Sequence, residues 1–410
     1  MVAKPLRATP PLRILTAVPI CDGHDSAVTT INVELACHGI EVIYLGYHQA
    51  ASAIARAAIQ EDVNAIGISS YNGGHIVFFR EVVQQLRLHG GKDIPVFGGG
   101  GGTITKADER VMQRQGTDRI FSAGTPFDEI MALIKQSYAR TAKPNRTYTG
   151  DRALARTITL AEEGTDRRAV RKSIRPIKVK RTGKANAFVL GVAGPGGAGK
   201  STLIDELTSR FLQRVPRGRI AILANDPSLP DSGGSILGDR VSAIYAQNDR
   251  VFFRSLATRG SLTGISPVTP AAIEILRQSG EFDLILVESV GVGQESDPFG
   301  VFAKKRQLTD AVLFVLAPHY GGRIQLQKIA LLNGADLVAL NKCDHPMAHT
   351  ARMEIQARLD QNRLAQRLHE TTAAKHFDPG VDALFAAIAR LGDLVVSTGG
   401  EKPCMMEITG

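Results

Sequence analysis

The sequence predicts an α/β chain built on two successive parallel sheets. Two observations carry this. Short apolar runs alternate with helix-period segments through residues 1–138, and a second series of the same kind starts at residue 187. Runs that are apolar throughout, rather than alternating, need helices on both faces of a parallel sheet.

In the first series the expected strands are residues 13–18, 41–47, 65–69, 95–97 and 119–121. A loop containing Gly, Asp or Ser follows each, and then an amphipathic stretch. Five βα units of this size fit a flavodoxin-like (Rossmann-like) doubly wound domain over residues 1–138. Such sheets bind ligands beyond the carboxyl ends of their strands, so the loops after strands are the places to look. Residues 137–149 turn polar, with Lys143-Pro144-Asn145-Arg146, and read as a linker. Residues 151–163 look helical, with Leu154 and Ile158 one turn apart, and residues 167–184 are basic and poorly periodic. The interval 139–184 is therefore expected to be a basic linker with a helical arm. The second series has expected strands at 187–193, 219–225, 282–288, 311–317 and 336–340, giving a domain over 185–400. Residues 401–410 show no pattern and read as a loose tail.

Composition narrows the function classes. A chain of 410 residues is too long for one ordinary core. The net charge is +9, and residues 140–184 hold 14 Lys/Arg against 4 Asp/Glu. That interval alone carries +10, leaving −1 for the rest. A basic stretch can bind nucleic acid, but between two globular patterns it reads as a solvated linker. Trp is absent and aromatics are 5%, which argues against a base-stacking platform. No nucleic-acid partner is expected. The longest apolar runs, such as residues 311–317, fall far short of the ~20 residues of a membrane span. Met1-Val2-Ala3-Lys4-Pro5-Leu6-Arg7 lacks the apolar core of a secretory signal, and Cys21, Cys37, Cys343 and Cys404 make no disulfide framework. A reducing cytoplasm and no membrane are the expectation.

The strongest motif is Gly194-Pro195-Gly196-Gly197-Ala198-Gly199-Lys200-Ser201, which fits GxxxxGK[ST]. It follows an apolar strand and precedes the helix-like residues 202–212, the context that gives the match meaning. In such a P-loop the backbone N–H groups of Gly194, Gly196, Gly197, Ala198 and Gly199 turn toward phosphate, and the helix N-terminus at Thr202 adds partial positive charge. Lys200 should reach the β- and γ-phosphates and Ser201 should ligate Mg²⁺. Asn341-Lys342-Cys343-Asp344 follows an apolar strand and resembles the NKxD signature of GTPases, whose Asp accepts from guanine N1 and N2. GTP and GDP are therefore expected over ATP, with Ala374 of Thr372-Ala373-Ala374-Lys375 in the supporting base loop.

Three carboxylates are candidates for Mg²⁺. Glu288 ends an expected strand and begins Glu288-Ser289-Val290-Gly291, a Walker-B-type turn in which Gly291 could offer its N–H to the γ-phosphate. Glu288 would hold the ion directly or through water. Asp226 and Asp239 are the others, each with helix capping as its alternative. Val292 stands where a Ras-like GTPase has its water-positioning Gln, so unaided hydrolysis should be slow. Residues 226–240 and 291–305 are Gly-rich and polar and suit switch loops.

These residues resemble the MeaB/ArgK group of P-loop GTPases, chaperones of adenosylcobalamin-dependent acyl-CoA mutases. The resemblance runs through Gly150-Asp151-Arg152-Ala153-Leu154-Ala155-Arg156, the P-loop, Asp226-Pro227-Ser228, residues 233–240, Arg254-Ser255-Leu256-Ala257-Thr258-Arg259, residues 288–294 and Asn341–Asp344, most of 150–390. It implies phosphate and Mg²⁺ roles for Lys200, Ser201, Asp226, Asp239 and Glu288. Gln325-Leu326-Gln327-Lys328 looks like the family's third switch, with Lys328 approaching the nucleotide. It also implies a homodimer.

Asp22-Gly23-His24-Asp25, after the first strand, resembles the cobalamin motif DxHxxG. By itself a loop His is most often structural. The resemblance implies that His24 is the lower axial cobalt ligand and Asp22 orients its imidazole. Ser69, Ser70 and Gly73 would line the cofactor's nucleotide tail, and Gly98, Gly99 and Gly100 would let backbone approach it. Ala27 replaces the motif's Gly; at φ > 0 it would be strained, and in a first helical turn harmless. Cobalamin domain before GTPase is also the order at the start of the fused isobutyryl-CoA mutases. No third series could supply a substrate barrel, so an acyl-CoA mutase partner subunit, or a longer chain, is expected. A GTPase whose first domain only docks partners is the second reading, favoured by Ala27; a basic nucleic-acid-binding NTPase is the third.

Overall fold

The computed structural model describes residues 11–20, 22, 26–139, 148–164, 187–291, 297–301, 308–320, 331–361 and 368–397. These form two compact units that do not follow chain order. The first takes the described residues up to 164 together with 222–247 and 252–279; the second takes 187–221, 248–251 and those from 280 onward.

In the first unit, β1 (Arg13–Ala17), β2 (Glu41–Tyr44), β3 (Ala65–Ser69), β4 (Val96–Gly99) and β5 (Arg119–Phe121) pair in parallel in the order β5-β4-β3-β1-β2. This is the flavodoxin order. Neighbours along a strand face opposite sides of the sheet. Ile14, Val42 and Ala65 pack with α1 (Ser26–Cys37) and α5 (Phe127–Tyr138) through Leu35, Met131 and Ile134. Leu15, Ile43 and Ile66 face the other way, onto α2 (Ala51–Gln60), α3 (His75–Leu88) and α4 (Lys106–Gln115). Burial on both faces is why the strands read as unbroken apolar runs. Local chemistry ends the helices: α4 opens on a Thr105–Asp108 capping box and stops at Gly116, at φ +110°. The helical arm is α6 (Gly150–Glu162), which packs on α2.

Beyond the P-loop strand and helix, β6 (Phe188–Ala193) and α7 (Lys200–Arg214), the chain gives β7 (Ile220–Asp226), β8 (Ser235–Leu237), β9 (Val251–Ala257) and α8 (Thr269–Ser279). Two of these strands, β8 and β9, are absent from the sequence reading. Residues 226–240 suited a switch loop, yet Ser235–Leu237 is a sixth parallel strand on the free edge of β2, with Glu41 opposite Ser235 and Ile43 opposite Leu237. Three residues between glycines carry little strand propensity. The edge of β2 supplies the pairing, and Gly234 permits it, since a Cβ there would overlap the Ala36 carbonyl.

In the second unit β6 pairs with β10 (Leu284–Glu288) and β11 (Ala311–Leu316), β11 with β12 (Leu337–Leu340), and β12 with β13 (Leu368–Glu370), all parallel. Helix α9 (Ala348–Gln361) follows β12, and α10 (Pro379–Leu391) starts at an Asp378 cap. Among the described residues no helix is long and apolar enough to cross a membrane.

Candidate functional site

The nucleotide candidates lie in the second unit. Buried β6 delivers the chain to Gly194, where a Cβ would overlap the Val315 carbonyl. The loop turns at Gly197 (φ +75°) and Gly199 (φ +87°), and a Cβ on Gly199 would overlap the Asn341 amide. The Lys200 ammonium is buried and donates to the carbonyls of Gly194 (3.1 Å) and Pro195 (3.3 Å). Ser201 Oγ donates to Glu288 Oε1 across 2.9 Å, bringing together residues 87 apart. Two hard oxygen donors thus meet at the head of a helix, a donor set that suits Mg²⁺. Thr202 is exposed on the first turn of α7. Gly291 lies against the P-loop, where a Cβ would come within 2.7 Å of Gly196 N.

Asn341 is a rivet rather than an exposed ligand. It is buried, its Nδ2 donates to Ala198 O (3.0 Å), and its Oδ1 accepts from Ala373 N (3.0 Å) and Thr371 Oγ1 (3.2 Å). One side chain therefore locks the Gly194–Ser201 loop to the Thr371–Ala373 segment. Lys342 takes φ +61°, and its stem runs beside Gly199. Asp344 and Ala374 are exposed. The intervening Cys343 is a poor nucleophile: burial pushes its thiol up to about 11.

Asp226 and Asp239 belong to the first unit. Asp226 ends β7, its carbonyl accepting from Thr258 N (2.9 Å). Asp239 opens the 3₁₀ turn Asp239–Ser242, after Gly238 at its N-cap. His24, Lys328 and Val292 lie outside the described residues.

The cofactor candidates also lie in the first unit. Asp22 is buried and its carboxylate accepts the backbone N–H of Tyr71, tying the loop after β1 to the loop after β3. Ser69 and Ser70 are buried; Ser70 N donates to Gly99 O (2.9 Å), and Ser70 Oγ has no hydrogen-bond partner among the described residues. A cavity of about 400 Å³ opens beside them, lined by Thr16, Ala27, Ser69, Tyr71 and Gly98–Gly101 among others. A roomy, mostly apolar cavity with an orphaned buried hydroxyl beside it fits a bulky ligand carrying a few polar groups. The glycines serve the fold first: a Cβ on Gly98 would overlap Ile68 O and Phe79, and one on Gly100 would overlap Ser70 O. Gly73 by contrast has open space around it. Ala27 sits in the first turn of α1 and is not among the positive-φ residues. It carries no strain there.

The family model of the methylmalonyl-CoA mutase-associated GTPase MeaB matches residues 154–405. The chain belongs to the MeaB family. Ahead of its MeaB portion, the B12 binding domain model matches residues 12–131. This MeaB chain is 34% identical to a fused isobutyryl-CoA mutase of Geobacillus kaustophilus over 92% of its own length and 36% of the relative's. With the fused isobutyryl-CoA mutase of Cupriavidus metallidurans it shares 36% over 92% of its length and 35% of the relative's. The chain thus spans about a third of those relatives. A putative GTPase of Pyrococcus abyssi is 39% identical over 52% of this chain and 63% of that protein. A MeaB-type GTPase domain fused to a B12-binding domain is therefore what the chain carries.

Sequence reasoning missed a buried ion network in the first unit. Arg13 donates to Glu41 (2.8 Å) and Glu61 (2.9 Å), Arg240 to Glu61 (3.2 Å), Arg254 to Glu162 (2.8 Å) and Arg259 to Glu41 (2.9 Å). Its partners lie up to 218 residues apart. The Arg254–Arg259 stretch carried a family signal, but nothing in the sequence named its partners.

Proposed function

We propose that the chain binds and hydrolyses GTP on residues 185–400 and binds adenosylcobalamin on residues 1–138. GTP state would then control loading or retention of the cofactor for an acyl-CoA mutase. The single observation that carries the catalytic half is the Ser201–Glu288 pair at the head of α7. Ser201 and Glu288 would hold Mg²⁺, with Asp226 and Asp239 as further candidates; the ion supplies charge neutralisation at the phosphates. The Lys200 ammonium and the amides of Gly196–Gly199 would stabilise charge on the γ-phosphoryl oxygens during in-line attack of water. Asp344, Lys342 and Ala374 would face guanine, held by the Asn341 rivet. With Val292 in place of a water-positioning Gln, turnover is slow until Lys328 or a partner completes the site.

In the first domain His24 would hold the cobalt through its imidazole and Asp22 would fix that ring's tautomer. Ser69, Ser70, Gly73 and Gly98–Gly100 would surround the nucleotide tail in the cavity. Bound cobalamin supplies radical chemistry through its cobalt–carbon bond. Ala27 in its helical turn supports this reading over a docking-only domain. The substrate barrel would come from another subunit or further chain, as in the fused relatives. A homodimer through the GTPase domain, in the cytoplasm, completes the proposal.

The test uses the full chain. GTP should be hydrolysed in preference to ATP, and cob(II)alamin should give a base-off, His-ligated spectrum. His24→Ala should abolish that spectrum and leave GTP turnover intact. A preference for ATP, or an unchanged spectrum in H24A, overturns the respective half.

A further inference from the structure

Tyr320 ends the 3₁₀ turn Pro318–Tyr320 that follows β11. Its hydroxyl donates to the carbonyl oxygen of Gly196 across 2.9 Å, in the middle of the P-loop. The ring lies against His319, with centroids 4.3 Å apart.

Other carbonyls of the loop are also held by named donors. Lys200 takes those of Gly194 and Pro195, and Asn341 takes that of Ala198. Leu203 N takes that of Gly199 (3.0 Å). Gly196 and Gly197 are the least constrained positions, because nothing lies within 4 Å of where a Cβ would stand on either. A glycine pair in open space can rotate the peptide plane between them at little steric cost. In a trans peptide the C=O and the N–H point opposite ways. A donor that captures the Gly196 carbonyl therefore turns the Gly197 N–H away from itself.

We infer that Tyr320 is a positioning residue of the nucleotide site. Its hydroxyl sets the Gly196–Gly197 peptide so that the Gly197 amide faces the phosphates. It does so without touching the nucleotide. The inference rests on the reading of Gly194–Ser201 as a nucleotide-binding loop.

The test is Tyr320→Phe in the full chain, which keeps the ring and removes the donor. Fluorescent GDP and GTP analogues should bind about two- to tenfold more weakly, the loss expected for one hydrogen bond. KM for GTP should rise by a similar factor, with kcat within about twofold, because the amide serves ground state and transition state alike. The melting temperature of the nucleotide-free protein and its cobalamin titration should match wild type. Unchanged nucleotide affinity in Y320F overturns the inference, as does a drop in melting temperature with affinity unaltered. Should the wild-type chain bind neither nucleotide, the nucleotide-site reading itself fails, and that outcome is read before the variant is compared.

Discussion

Arg240 donates to Glu61 across 3.2 Å, with both side chains shut off from water. Glu61 is the C-cap residue just after α2, whereas Arg240 follows the strand Ser235–Leu237. The same carboxylate accepts from Arg13 and from the backbone N–H and hydroxyl of Ser255. Around it Glu41 and Glu162 take Arg13, Arg254 and Arg259. Charges taken from water this completely persist only when each has partners. The network explains how residues 222–247 and 252–279 share one compact unit with the B12-binding domain.

Removing one member should therefore cost more than a surface pair. Glu61→Gln removes the carboxylate that faces buried Arg240 and one of the two that hold Arg13, and should lower unfolding free energy by about 3–5 kcal/mol. Glu109→Gln breaks the exposed Lys106–Glu109 pair and should cost at most about 1 kcal/mol. Urea titrations of both variants check this. Equal losses would show that burial adds nothing to the Glu61 contacts.

Much of this was legible beforehand, and the rest was hidden for a reason. The strands at residues 65–69 and 119–121 were placed to the residue, because apolar runs between polar loops are a local signal. The Gly194–Ser201 and Asn341–Asp344 segments stand out in the sequence because their motifs are compressed into four to eight residues. Ser235–Leu237 does not, since its pairing comes from the free edge of β2 rather than from its own side chains. Glu61 and Arg254 were hidden because single charges pair across the fold without any periodicity. The role of Asn341 was half legible: the motif marked it, but its bonds to Ala198 and Ala373 needed the fold.

Acid should loosen the network. Burial alone would raise the Glu162 carboxyl, but Arg254, then Arg13 and Arg259, outweigh it and hold its pKa below the ordinary 4.5. A depressed folded-state pKa contributes stability that is complete above that ordinary value and fades as pH falls through the folded one. Unfolding free energy should hold a plateau near neutrality with respect to this group and fall below about pH 4.5. Glu162→Gln should lower the plateau and flatten part of the acid limb. Denaturation midpoints across pH 3.5–7 measure it, and an acid limb as steep in E162Q as in wild type would contradict the assignment.

The Ser201–Glu288 pair predicts a metal phenotype. Glu288→Ala removes one hard donor and the partner of the Ser201 hydroxyl. Mg²⁺ activation of GTP turnover should shift to about 10- to 100-fold higher concentration. Chelation with EDTA should abolish wild-type turnover, and Mg²⁺ should restore it. Turnover rates across a Mg²⁺ series, with nucleotide affinity measured in parallel, separate loss of metal from loss of nucleotide.

The glycine run after β4 separates packing from ligand contact. A Cβ on Gly100 would overlap the Ser70 carbonyl and crowd Ile104, so Gly100→Ala must shift the loops that frame the cavity. Overpacking of this kind costs about 1–3 kcal/mol. Gly73 has open space around it and a negative φ, so Gly73→Ala meets no protein atom and should leave the melting temperature unchanged. Cobalamin titrations complete the comparison. G100A should lose both stability and cobalamin affinity. G73A should lose affinity alone if the corrin or its tail passes over that position. Full cobalamin affinity in a destabilised G100A would mean that the cavity framed by these glycines is not where the cofactor sits.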